Sequence, residues 1–127
     1  MEKSKVTFIP LNKAAIIPKT HSEGAAGYDL FSICDGTIPS LSTMAIKLGF
    51  SLHLPPTLVG YICGRSGIGR NNGVAVVNSY VKSEDEVIVY LKNFTETPFN
   101  FDKGMRIAQM FFAVTEDLKF NELSTSS

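Results

Sequence analysis

The chain has 127 residues, 44% of them hydrophobic and 19% charged, so it can build a core and does not read as a disordered tail. Lys+Arg and Asp+Glu balance at 12 each, which excludes a general electrostatic attraction to nucleic acid or to an anionic membrane. No apolar run approaches the roughly 20 residues of a membrane span, and "MEKSKVTFIPLNK" has no long apolar stretch behind its charges, so it does not read as a secretory signal.

In chain order the apolar segments are "VTFIPL", "AAIIP", "YDLFSI", "MAIKLGFSLHL", "LVGYIC", "GVAVV", "EVIVYL" and "RIAQMFFAV". They are short and rich in β-branched residues. Turn residues separate them, in "SEGAAG", "DGTIPS", "PPT", "GIGRNNG", "KSED" and "FDKG". This pattern predicts an all-β sandwich or barrel. No window carries a sustained i, i+3, i+4 apolar face, so long helices are not expected. Ile46, Leu48, Phe50, Leu52 and Leu54 alternate along one long strand, which Pro55-Pro56 then ends. A single domain over residues 1–123 is expected, with a short disordered polar tail at 124–127. Strand edges in a domain of this size need cover, and packing C-terminal strands between subunits is one way to supply it. Cys34 and Cys63 stand beside Ile33 and Ile62 and read as buried free thiols, which points to the cytoplasm or nucleus.

Three stretches could carry chemistry. "EGAAGYDLFS" surrounds one carboxylate, Asp29, with small residues that let a backbone pass close to a ligand. A hard oxygen of this kind suits a hydrated divalent cation, and the ordinary alternative is a packed turn whose aspartate satisfies backbone donors. "CGRSGIG" offers a guanidinium from Arg65, a hydroxyl from Ser66 and free N–H groups around Gly67. That is the chemistry of an anion nest, although no Lys-Ser/Thr pair closes it as in a Walker loop, and an exposed glycine turn is the ordinary alternative. "KGMRIAQM" places Gln109 in an otherwise apolar run, where an amide needs a partner: a ligand, or a sheet-edge group.

In this order and spacing the three stretches resemble motifs one, two and four of the homotrimeric dUTPase family. The resemblance extends from about Val6 to Leu123 and includes the connecting stretch "IPSLSTMAIKLGFSLHLPPTLVGYICGRSG". It implies a jelly-roll-like β fold of the β-clip type, assembled as a homotrimer with sites at subunit junctions. It also implies hydrolysis of dUTP, or a related nucleotide, to the monophosphate and pyrophosphate with Mg2+. Carried over by position, Arg65, Ser66, Gly67 and Gln109 contact the phosphates. Asp29 supports the metal through water, and Asn78 stands at the mouth of the base pocket.

The third family motif, Gly-x-Ile-Asp-x-Asp-Tyr-Arg-Gly on a β-hairpin, has no match in "NSYVKSEDEVIVYLKN". Anchoring "GVAVVN" and "VIVYLKN" leaves a shortened hairpin without the water-activating aspartate. Sliding the gap pairs Tyr80 with the family tyrosine, at the cost of a larger deletion before it and an insertion after it. Glu84, Asp85 and Glu86 are the candidate substitute bases, although "KSED" reads as a solvated turn. The glycine-rich fifth motif is expected to begin about where "NELSTSS" stands. The resemblance thus predicts a kept phosphate side with reduced or lost hydrolysis. The alternative is a non-catalytic scaffold that binds a nucleotide or an unidentified protein partner.

Overall fold

The computed structural model describes residues 5–20, 27–64, 72–77 and 80–125. Among them the strands follow in order: β1 Thr7–Pro10, β2 Lys19–Thr20, β3 Tyr28–Phe31, β4 Gly36–Ile38, β5 Thr43–His53, β6 Leu58–Cys63, β7 Val74–Val76, β8 Tyr80–Val81, β9 Glu86–Asn93, β10 Phe99–Phe101 and β11 Arg106–Val114. They form a four-stranded sheet β1-β5-β9-β7, a five-stranded sheet β2-β3-β11-β6-β8 and a small pair β10-β4. Every pairing is antiparallel. The all-β architecture expected from the short alternating segments, jelly-roll-like as the resemblance implies, is what the chain adopts.

The sheets share one apolar core. Leu30, Ile62, Val81 and Met110 enter it from the five-stranded sheet, and Ile46, Leu48, Phe50, Leu52, Val89 and Leu91 from the four-stranded one. Strand β5 carries the predicted row: Ile46, Leu48, Phe50, Leu52 and the following Leu54 are all buried. The odd positions depart from simple alternation, because Gly49 and Ser51 are buried as well. The cause is a bulge. Lys47 pairs with Ile88 but Ser51 with Glu86, so β5 has extra residues over its partner. Gly49 sits there at φ 78°, and its missing side chain lets Asn12 and Ile33 pack on the backbone. Beyond the bulge β5 gains β1 as a partner, from Pro10↔Phe50 to Thr7↔His53.

A buried asparagine ties the loops at one end. Asn93 is fully buried, and its Nδ2 donates to the carbonyls of Thr97 at 2.8 Å and Ile38 at 3.1 Å. Its Oδ1 accepts from Thr95 N at 3.0 Å and Thr95 Oγ1 at 2.7 Å. One side chain thereby ties the β4–β5 and β9–β10 connections together, and Thr95 Oγ1 adds a bond of its own to the Thr97 carbonyl at 2.9 Å.

Two expectations are corrected. Cys34 and Cys63 are exposed, not buried. On β6 the pleat sends Ile62 into the core and therefore its neighbour Cys63 outward. Cys34 lies in the turn after β3, where Ser32 Oγ donates to its carbonyl at 2.6 Å. The second correction concerns "NSYVKSEDEVIVYLKN". Strands β8 and β9 flank the acidic turn as read, yet they do not pair with each other. Strand β8 pairs with β6, and β9 with β5 and β7. The turn carries the chain from one sheet to the other and is fastened at that crossing. Ser83 Oγ accepts from Leu54 N at 2.9 Å, and Glu84 N donates to Leu52 O at 2.8 Å.

The Asn93 network makes a direct prediction. Asn93→Ala removes the buried bond to the Ile38 carbonyl and the part-buried bonds to Thr95 and Thr97, and should lower unfolding stability by about 1–3 kcal/mol in urea titrations, against under about 0.5 kcal/mol for an ordinary surface change. A shift of surface size would show that the loops hold without it.

Candidate functional site

Strand β11 is hydrogen-bonded on both sides, to β3 and to β6. Its register sets Gln109 opposite Asp29 on one side and opposite Cys63 on the other. Lys19 of β2 is registered with Asp29 in turn. Residues in register share a sheet face. A polar row therefore runs Lys19, Asp29, Gln109, Cys63 across the outer face, and Gly64 follows at its end. The adjacent row, Tyr28, Met110 and Ile62, turns to the core. Stretches that are far apart in sequence thus meet because one strand separates them.

Asp29 is only 6% exposed. A carboxylate so placed needs a charged or hydrogen-bonding partner. Arg106 supplies one, with Nη1 at 3.4 Å from Asp29 Oδ2. The register of β11 against β3 shifts between Arg106 and Ala108. Ile107 and Ala108 are consequently both fully buried, and Arg106 on the far side of the irregularity reaches Asp29.

Gln109 bridges two motifs. Its Nε2 donates to the Gly64 carbonyl at 3.2 Å. Its Oε1 lies on the other side, against Gly27, where a Cβ would stand 3.1 Å away. The amide thereby connects the entry of the first motif with the start of the second. The predicted need of this amide for a partner is met by the sheet itself.

The remaining predicted residues separate into groups. Arg65, Ser66, Gly67 and Asn78 lie outside the described residues. Tyr80 is registered with Tyr61, which is on the same β6 face as Cys63, and the two rings stand 5.7 Å apart. Asp85, Glu86 and Tyr80 line a cleft of about 470 Å³ with Lys82 and Tyr90. Glu84, held at φ 74°, directs its Oε1 at His53 Nδ1, and both side chains are exposed. The three turn acids therefore do not join the Asp29–Gln109 row within the chain. Among the described residues no three His, Cys, Asp or Glu side chains gather closely enough to hold a metal ion. A protein cage for magnesium is not built there. A lone buried carboxylate suits an ion that keeps its waters and arrives on phosphates.

Arg106, Cys63, Gly27 and Phe111 belong to this face and were not assigned roles from the sequence. Period two within "AQMFF" marks Phe111 as sharing the face of Gln109, and "GYD" marks Gly27 as sharing that of Asp29. The contact between them is long-range, and no local pattern contains it.

Comparisons with known proteins agree with this architecture. The dUTPase family model matches residues 13–127. The deoxyuridine 5'-triphosphate nucleotidohydrolase of Encephalitozoon cuniculi is 35% identical over 114 residues, covering 88% of this chain and 79% of that protein. That of Paramecium bursaria Chlorella virus 1 is 36% identical over 112 residues, covering 85% and 79%. Among solved structures, the Staphylococcus bacteriophage 80alpha dUTPase with dUpNHpp superposes with a TM-score of 0.83 at 17% identity, covering 98% of this chain and 90% of that one. A mutant dUTPase of phage phi11 of S. aureus, described with a structural Mg(II) ion, gives 0.81 at 15% identity and covers 96% and 98%. These two establish likeness of fold, and the two sequence relatives with the family model establish descent: the chain belongs to the dUTPase family.

Proposed function

We propose that the chain binds the triphosphate of dUTP, or of a related nucleotide, on the Asp29–Gln109–Gly64 face and releases pyrophosphate slowly or not at all. The observation that carries this reading is the division between the two halves of the site. One half is the row that β3, β11 and β6 bring together, with Asp29 and Gln109 in register and Gly64 following Cys63. The other half is the turn after β8, whose acids do not join that row within one chain: Glu84 faces His53, and Asp85 and Glu86 line a cleft with Tyr80. A general base contributes about 10²–10⁴ in rate only when it stands within hydrogen-bond reach of the proton it takes.

In this reading Arg65, Ser66 and the Gly67 N–H groups hold the phosphates, which need several convergent donors. Gln109 holds the Gly64 carbonyl and presents its amide to the same anion. Asp29, oriented by Arg106, accepts hydrogen bonds from water around the nucleotide. Magnesium carried by the triphosphate supplies charge neutralisation there, and Asp29 is the residue that would hold it through water. Tyr80 and Asn78 are the candidates for the nucleoside end.

A homotrimer accompanies this function. Support comes from the segment after β11, where Leu118, Phe120 and Leu123 are 77%, 97% and 86% exposed in the single chain. Apolar side chains spaced along an extended arm are suited to burial on another copy. The second reading, a scaffold that binds without cleaving, rests on the same turn geometry.

Incubation with dUTP, dCTP, dTTP and UTP in the presence of magnesium tests the reading. The expected outcome is nucleotide binding with pyrophosphate release at least about 100-fold slower than from a complete family member. Rapid uracil-selective turnover would overturn it, and binding without any cleavage would select the scaffold. Arg65→Ala should weaken binding of non-hydrolysable dUpNHpp by about tenfold or more in calorimetry, and titrations identical to wild type would reject the phosphate turn. Sedimentation should give the mass of three chains, and removal of residues 115–127 should shift it toward smaller species; a monomer at every concentration would exclude the assembly.

A further inference from the structure

Gly27 is the residue immediately before β3, one position beyond the last registered pair, Tyr28↔Met110. It therefore lies alongside Phe111. A Cβ on Gly27 would stand 2.9 Å from Phe111 Cζ and 3.0 Å from its Cε1. Real side chains do not approach so closely, so the ring rests directly on the glycine backbone. Phe111 is half-buried, shares the outer face with Gln109, and is registered with Tyr61 on its β6 side. Strand β3 has only four residues, and its register on β11 is irregular between Arg106 and Ala108. Its outer neighbour β2 has two residues. The ladder alone gives this strand little constraint at the end where Asp29 stands.

We propose that Phe111 is a positioning residue of the nucleotide site. Its ring pins the Gly27 backbone to β11 and so fixes the Asp29 carboxylate against Gln109. This rests on the nucleotide-binding reading above and adds a residue to it. Phe111 does not touch the nucleotide. It acts through Gly27 and Asp29, and it explains why the first motif has no room for a side chain at its last glycine. Loss of the ring frees the strand entry, and the carboxylate loses its fixed place relative to the phosphates.

The test is a size-exchange cycle. Phe111→Ala should weaken dUpNHpp binding in magnesium by about 10- to 100-fold while the urea midpoint changes little. It should also speed amide hydrogen exchange at Tyr28 and Asp29 relative to the rest of β11 and β6. Gly27→Ala alone should do the same by pushing the ring aside. Gly27→Ala combined with Phe111→Leu should recover most of the lost affinity and protection, because the smaller side chain makes room for the added methyl group. Wild-type affinity and exchange in Phe111→Ala would overturn the proposal, and so would a double variant no better than the sum of the single changes. If the wild-type chain binds no dUpNHpp, the proposed function fails; the exchange rates and the cycle then still decide whether Phe111 holds the entry of β3.

Discussion

Hydrogen bonding of β11 along both of its edges is the constraint on which the site depends. Strands β3 and β6 each take one edge, at the usual spacing of about 4.8 Å. Asp29, Gln109 and Cys63 are thereby held in one line, although they come from distant parts of the chain. The pleat then divides the labour of β11. One set of side chains, with Met110 fully buried, enters the core; the other, with Gln109 and Phe111, faces outward. Packing of the inner set keeps the outer set in position, so the stability of the fold and the geometry of the site are one problem.

The irregularity between Arg106 and Ala108 serves the electrostatics. A buried aspartate is costly unless its charge is matched. The shifted register brings Arg106 to Asp29 without removing Ile107 or Ala108 from the core. An acid already paired and oriented loses little further freedom when a ligand with its own water shell arrives. The same logic applies to Gln109, whose amide is held between Gly64 and Gly27 before any ligand binds.

Much of this was legible in the sequence, and the rest was hidden for identifiable reasons. The strands, the alternating row on β5, its end at Pro55-Pro56 and the family were readable because each is written in local composition, period or motif order. Cys63 was misread because the hydrophobicity of Ile62 was taken to extend to its neighbour, whereas the pleat sends adjacent residues to opposite faces. The acidic turn was read correctly as a turn but wrongly as the tip of a hairpin. Local pattern marks where a chain bends, and it does not say which strands it pairs with afterwards. The bond between Arg106 and Asp29 and the packing of Phe111 on Gly27 join residues that meet only after the sheet forms. Period two could name the face each occupies, and nothing shorter than the fold could name the partner.

The crossing at residues 82–85 has a consequence for how this lineage can change. There Ser83 and Glu84 fasten the chain arriving from β8 to Leu54 and Leu52 at the end of β5. Both middle residues of this short turn are thus committed to the frame before the chain enters β9. Under the function proposed above, exchanging one turn residue for an aspartate would leave both of these bonds in place. Under that same proposal, a turn able to reach over a nucleobase would need added chain length, and insertion supplies that more directly than point substitution.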